Sequence, residues 1–72
     1  MKISARNVIA GKVAAIKLGA VAAEIQVDIG GGNIVTSVIT VASAERPGLS
    51  VGKDAKVVIK ASDVMIGTAG GN

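Results

Sequence analysis

The chain has 72 residues, a formal net charge of +3, and no cysteine, histidine or aromatic residue. A chain of this length forms one domain that buries a low fraction of its surface, which excludes a large enzyme core. Without cysteine and histidine it has no disulfides, no usual zinc site and no side chain that normally titrates near neutral pH. We therefore expect a homo-oligomer that shares its small core, and we do not expect an enzyme.

The apolar composition favours strands, because eleven valines and nine isoleucines outnumber two leucines. Residues 2–18 predict one long strand with a kink or bulge near Gly11, or two short strands. Residues 17–20 resemble a turn. Residues 21–29 alternate between apolar and polar side chains, which predicts a half-buried antiparallel strand.

The second half of the chain continues this pattern. Gly30-Gly31-Gly32-Asn33 predicts a hairpin loop rather than a phosphate-binding loop, because a strand and not a helix follows it. Residues 34–41 predict the next strand. Ser43 is positioned to cap a single helical turn that Pro47 ends. Residues 55–66 predict the last strand.

These elements, four or five antiparallel strands, predict an all-β fold: a small OB-type, five-stranded antiparallel barrel with one short helical turn. One domain is expected over residues 1–72, with residues 67–72 as a flexible tail. No apolar run approaches the roughly 20 residues of a membrane helix, and the N-terminus lacks the apolar core of a signal peptide. We therefore expect a cytoplasmic protein.

Three short segments are rich in hydrogen-bond donors. They are Ser4-Ala5-Arg6-Asn7, Thr40-Val41-Ala42-Ser43 and Lys60-Ala61-Ser62. Each also has a simpler interpretation: a polar strand edge, a helix cap, and a lysine that pairs with Asp63 or points to solvent. Together they suit an oxyanion that is fully ionised at neutral pH, such as molybdate, tungstate or sulfate, because such an ion only accepts hydrogen bonds.

Two other functions compete with an oxyanion site. The barrel class and the basic composition permit an OB-type nucleic-acid-binding module, but the missing aromatic rings and the mild charge disfavour it. A purely structural subunit would use the same polar residues only to fix the register of its interface.

Five segments, in order and at compatible spacing over residues 2–66, together resemble the molbindins, the small cytoplasmic molybdenum-pterin-binding or Mop proteins. The segments are Ser4-Ala5-Arg6-Asn7, Gly11-Lys12-Val13, Gly30-Gly31-Gly32-Asn33, Thr36-Ser37-Val38-Ile39-Thr40 and Ile59-Lys60-Ala61-Ser62-Asp63-Val64-Met65-Ile66. The resemblance implies a barrel that assembles as a homohexamer, a trimer of dimers. It also implies that molybdate or tungstate binds at subunit interfaces for intracellular storage or homeostasis, with no catalytic cofactor, nucleic-acid partner or membrane partner. Because Met1 directly precedes the domain, we expect the stand-alone form.

The resemblance also assigns site residues. The residues it places at the oxyanion are Ser4, Arg6, Thr40, Ser43, Lys60, Ala61 and Ser62. It further implies a second site near a symmetry axis, built largely from backbone, which we place at Gly19, Ala20 and Val21. No residue is expected to ligate a metal cation directly.

Overall fold

Residues 6–69 are described by a computed structural model of the chain, in which four antiparallel strands form one sheet in the order β3-β2-β1-β4. The elements are β1 (Asn7–Leu18), β2 (Ala22–Gly30), β3 (Asn33–Thr40), helix α1 (Val41–Glu45), β4 (Asp54–Ile59) and a 3₁₀ turn, η1 (Ala61–Asp63). The all-β prediction with one short helix is confirmed. No helix within this range has the length and apolarity that a membrane crossing requires.

The first strand is continuous, as one of the two predicted alternatives had it. Its register against β2 shifts between Val13 and Ala15, so the irregularity lies beyond Gly11. Gly11 has a different role. A Cβ there would lie 2.6 Å from the Asp28 carbonyl oxygen and 2.7 Å from Cγ1 of Val27. Only a residue without a side chain allows β1 and β2 to approach this closely.

The predicted alternation in the second strand is confirmed. Ala23, Ile25 and Val27 are buried, while Asp28 is exposed. The glycine-rich hairpin is also confirmed, because Gly30, Gly31 and Gly32 all have positive φ, which residues with side chains rarely adopt. β3 resumes at Asn33, so only two residues separate the strands.

Two predicted strand ends are wrong. The third strand ends at Thr40, and Val41 already begins α1. The last strand ends at Ile59 rather than residue 66, because the chain turns through η1, where the Asp63 N–H donates to the Lys60 carbonyl at 2.9 Å. Serine and aspartate favour such local turns over continued strand.

The sheet is not the predicted closed barrel. Within residues 6–69 it has four strands rather than five, and the outer strands β3 and β4 do not pair with each other. The fully buried core is correspondingly small. It consists of Val13, Ala23, Ile25, Val27 and Ala44, the last contributed by α1.

The loop between α1 and β4 is tied to the rest of the domain by Lys53. Its Nζ donates to the carbonyl oxygens of Pro47 and Gly48 at 3.0 and 3.2 Å. Its own carbonyl accepts from the Val13 N–H at 2.9 Å, and the Gly52 N–H donates to the Val13 carbonyl at 2.8 Å. One lysine therefore links the end of the helical segment to β1.

An ion pair joins β1 to β4 on the exposed face of the sheet. Lys12 Nζ lies 2.7 Å from Oδ1 of Asp54, and both side chains are largely exposed. The hydrogen bond and the charge of Lys12 lower the pKa of the Asp54 carboxyl below its usual value. Because the pKa is lowered in the folded state, the stabilisation is complete above the unfolded-state pKa, about 3.9, and is lost as the pH falls through the lower folded-state pKa.

We expect the Asp54 carboxyl carbon, followed by NMR, to titrate below about pH 3.9, and we expect Lys12→Met to raise its midpoint toward that value. Lys56→Met removes a neighbouring charge on the same strand and serves as the control. A midpoint that is the same in the wild type and in the Lys12 variant would contradict the assignment of the shift to this pair.

Candidate functional site

The start of β1 and the end of β4 bring two predicted site residues, Arg6 and Lys60, to the same end of the sheet. Asn7 pairs with Ile59, and Asn7 Nδ2 donates to the Ile59 carbonyl at 3.2 Å. Arg6 and Lys60 each lie one residue beyond this pair, on adjacent strands running in opposite directions. The register therefore places a guanidinium-bearing and an ammonium-bearing residue side by side at the same end of the sheet.

The turn that follows adds the next two predicted residues. Lys60 precedes η1, and Lys60, Ala61 and Ser62 are all exposed. Among residues 6–69 the N–H groups of Ala61 and Ser62 have no hydrogen-bond acceptor, and Lys60 forms no ion pair with Asp63. This end of the sheet thus offers an amine, a hydroxyl and two backbone donors to a ligand that accepts hydrogen bonds. Ser4, the remaining N-terminal residue of the predicted set, lies outside the described residues.

Thr40 and Ser43 form a capping pair at the start of α1. Thr40 Oγ1 accepts from the Ser43 N–H at 3.0 Å and donates to Ser43 Oγ at 2.8 Å. The predicted cap at Ser43 is therefore wrong: Thr40 is the cap residue and Ser43 lies inside the helix. Because Thr40 uses its hydroxyl proton internally, Ser43 retains the O–H that is available to a ligand.

The predicted second site lies beside this capping pair. The Val41 N–H donates to the Val21 carbonyl at 2.8 Å, and the turn before it is closed by the Gly19 N–H donating to the Ala22 carbonyl at 2.8 Å. Residues 19–21 are exposed. The structure thus groups Thr40 and Ser43 with the turn after β1.

The predicted primary set is consequently split into two groups. Arg6, Lys60 and Ser62 lie at the Asn7 end of β1, whereas Thr40 pairs with Ala22 at the opposite end. β1 has twelve residues, and its first and last residues would lie about 36 Å apart in an extended strand. The strand register of one chain therefore does not bring all the predicted donors together.

Two residues that shape the site were not assigned these roles from the sequence. Asn7 was grouped with the donors to the ligand, but its side-chain amide donates to the Ile59 carbonyl and so joins β1 to β4. Lys53 was not among the predicted site residues, yet it holds the loop after α1. The pattern of residues carries no signal for either role, because both depend on carbonyl groups that the fold brings in from other segments.

The cap predicts a measurable effect on stability. Thr40→Val removes the hydroxyl that accepts from Ser43 and is expected to lower the free energy of unfolding by about 1 kcal/mol. Thr36→Val, at an exposed threonine of the same strand, is the matched control and is expected to change it by less than about 0.5 kcal/mol. Urea unfolding of the ligand-free protein, followed by far-UV circular dichroism, measures both, and equal effects would refute the capping role.

Comparisons with known proteins agree with this fold. A family model described as the TOBE domain matches residues 3–66. A protein of Haemophilus influenzae named as a probable molybdenum-pterin-binding protein is 49% identical over 67 residues, covering 93% of this chain and 97% of that protein. The solved structure of MopII from Clostridium pasteurianum superposes with a TM-score of 0.85 at 45% identity, covering 93% of this chain and all of that one.

A second solved structure has molybdate bound. The cytoplasmic molybdate-binding protein ModG, in a crystal form with molybdate bound, superposes with a TM-score of 0.85 at 42% identity. The match covers 90% of this chain and 46% of that one. These likenesses span nearly the whole chain and confirm the resemblance to the Mop proteins. The chain therefore belongs to the TOBE-domain family, among its small molybdenum-pterin-binding members.

Proposed function

We propose that this protein binds molybdate or tungstate reversibly as an intact oxyanion, at interfaces between copies of itself, and catalyses no reaction. The observation that carries the proposal is the pairing of Asn7 with Ile59, which brings Arg6, Lys60 and the free N–H groups of η1 to one end of the sheet. A tetrahedral dianion has only acceptor oxygens and matches a set made of donors. The family membership and the molybdate-bound relative support the same ligand.

The exposed surface supports assembly into an oligomer. Several large apolar side chains are exposed, including Leu18, Val21 and Val38, each more than 60%. Exposed apolar surface of this kind marks a site where another molecule binds. We propose that further copies cover this surface in a homohexamer, a trimer of dimers.

The split between the two groups of donors supports a site between subunits. Because Thr40 and Ser43 lie at the opposite end of β1 from Lys60, a second copy is needed to bring a capping pair near the lysine. Binding is then linked to assembly, since a ligand held between copies stabilises the assembled state by mass action. We place this protein in the cytoplasm, because its relative ModG is a cytoplasmic protein. There it would store or buffer the oxyanion. We propose that residues 1–72 form a single domain.

Isothermal titration calorimetry of the assembled wild-type protein tests the ligand. We expect saturable heat with molybdate and with tungstate, and little with phosphate at the same concentration. Sulfate also only accepts hydrogen bonds, and its titration measures how strongly the site selects among such ions. Phosphate keeps a proton near pH 7, and among the proposed donors only the hydroxyl oxygens can accept it, so the set matches phosphate less well. No heat from molybdate, on protein shown to be folded and assembled, would overturn the proposal and favour a purely structural subunit.

A further inference from the structure

Three consecutive carbonyl oxygens, at the end of β4 and in the turn after it, are occupied by hydrogen bonds. The Lys60 and Ala61 carbonyls accept from N–H groups three residues further along the chain, at 2.9 and 3.3 Å. The Ile59 carbonyl accepts from Asn7 Nδ2 at 3.2 Å. The stretch of chain that carries the proposed lysine donor therefore keeps these acceptors away from a ligand.

The Ile59 carbonyl differs from the other two because a side chain occupies it. Asn7 is partly buried and lies opposite Ile59 in the β1–β4 register. The Ile59 carbonyl shares one planar peptide unit with the Lys60 N–H, so the hydrogen bond from Asn7 also orients the peptide that leads into Lys60. Replacing this one side chain would thus free an acceptor oxygen directly before the lysine of the proposed site.

A free carbonyl oxygen at this position would change which anions the site can hold. Molybdate, tungstate and sulfate are fully ionised near pH 7 and only accept hydrogen bonds, so a free carbonyl gives them no bond and adds a partial negative charge nearby. Phosphate is also tetrahedral but keeps a proton, and its O–H can donate to a free carbonyl oxygen. The occupancy of one carbonyl oxygen therefore distinguishes the two classes of oxyanion.

We propose that Asn7 is a specificity-determining residue of the oxyanion site, whose side-chain amide occupies the Ile59 carbonyl and so removes an acceptor that a protonated oxyanion would use. The inference rests on the proposed function, because it concerns the ligand of that site. Asn7 acts as a positioning residue, through the carbonyl and the peptide before Lys60, and need not contact the anion. An amide suits this role because Nδ2 donates, whereas an ionised carboxylate of the same shape cannot.

Competition calorimetry tests this assignment in Asn7→Leu and Asn7→Asp, neither of which can donate to the Ile59 carbonyl near neutral pH. Molybdate is titrated into the assembled protein in the presence of phosphate or sulfate, with the ionic strength held constant by chloride. We expect the ratio of phosphate affinity to molybdate affinity to rise at least about tenfold in both variants, the scale of one hydrogen bond. The ratio of sulfate affinity to molybdate affinity should change by less than about threefold, because sulfate has no proton to donate.

Ile9→Ala is the matched control for a general loosening of this end of the sheet. Ile9 lies on β1 two residues after Asn7, is partly buried and pairs with Val57. Its truncation removes apolar contacts and leaves the Asn7 amide in place, so phosphate should not gain on sulfate. A site that had merely widened would instead admit phosphate and sulfate together, since both ions are smaller than molybdate.

Asp63 is the alternative acceptor for the proton of phosphate, because it is an exposed carboxylate of the same turn. Asp63→Asn, introduced into the Asn7→Leu protein, should leave the gain in phosphate affinity within about threefold, since an amide oxygen and the freed carbonyl remain as acceptors. Loss of the gain would assign the acceptor to Asp63 and overturn the role of the Ile59 carbonyl.

The outcomes separate this inference from the proposed function. A wild type that gives no heat with molybdate would overturn both. Molybdate binding with an unchanged phosphate ratio in both Asn7 variants, or an equal rise for sulfate and phosphate, would overturn the specificity role alone. Loss of folding or assembly in both variants, measured by circular dichroism and sedimentation, would also overturn it, because Asn7 would then act only on the stability of the fold.

Discussion

Lys60→Ala is expected to weaken molybdate binding by about 1.5–3 kcal/mol, which is roughly a 10- to 150-fold rise in the dissociation constant. The lysine is exposed, has no carboxylate partner among residues 6–69, and lies beside Arg6 at the end of the β1–β4 pair. The expected loss is that of one charge-assisted hydrogen bond to a dianion. Calorimetry on the assembled variant measures it.

Lys56→Ala is the matched control for this experiment. Lys56 is an exposed lysine of the same strand, opposite Ala10 in the middle of the β1–β4 register. Its removal changes the net charge equally but leaves the proposed donors in place, so the affinity should change by less than about threefold. Equal losses in the two variants would assign the effect to overall charge, and unchanged affinity in Lys60→Ala would remove that residue from the site.

Gly11→Ala is expected to lower the free energy of unfolding by about 1–3 kcal/mol, the usual cost of overpacking a close contact. The added methyl would lie 2.6 Å from the Asp28 carbonyl oxygen, a backbone atom that cannot rotate away. β1 and β2 would have to separate at the point where both contribute to the core. Urea unfolding at a fixed protein concentration measures the change, because the stability of an oligomer depends on concentration.

Gly67→Ala is the control for the glycine experiment. A Cβ at residue 67 would meet nothing within 4 Å, and no left-handed φ is required there. The free energy of unfolding of the Gly67→Ala protein should therefore differ from the wild-type value by less than about 0.5 kcal/mol. A Gly11→Ala protein as stable as this control would show that β1 and β2 can move apart without lowering the free energy of unfolding.

The central part of the fold could be predicted from local patterns. In β2, alternation identifies Ile25 and Val27 as buried, because a half-buried strand imposes a period of two, but Val21, at the predicted start of the strand, is exposed. The glycine run identifies the hairpin, since few other residues tolerate positive φ at three consecutive positions. Both features are encoded within about ten residues of sequence.

The errors lie where tertiary context decides. Val64, Met65 and Ile66 have the composition of a strand, and sequence alone cannot show that η1 turns the chain away before them. The cap was assigned to Ser43 rather than Thr40 because both hydroxyls precede or enter the same short helix, and only the backbone of Thr40 is extended. The donors of the site were predicted as residue types, but their division between the two ends of β1 depends on strand register.

The pairing of Asn7 with Ile59 has a consequence for the order in which the domain opens. β1, β2 and β3 are joined by short connections, whereas the Asn7–Ile59 contact closes a loop across 52 positions of the chain. Contacts of long sequence separation cost more chain entropy than hairpins, so β4 is expected to detach first. Amide hydrogens of β4 should then exchange faster than those of β2. A bound anion that contacts both Arg6 and Lys60 would stabilise the pairing of β1 with β4. It would then slow amide exchange in β4 and leave amide exchange in the β2–β3 hairpin unchanged.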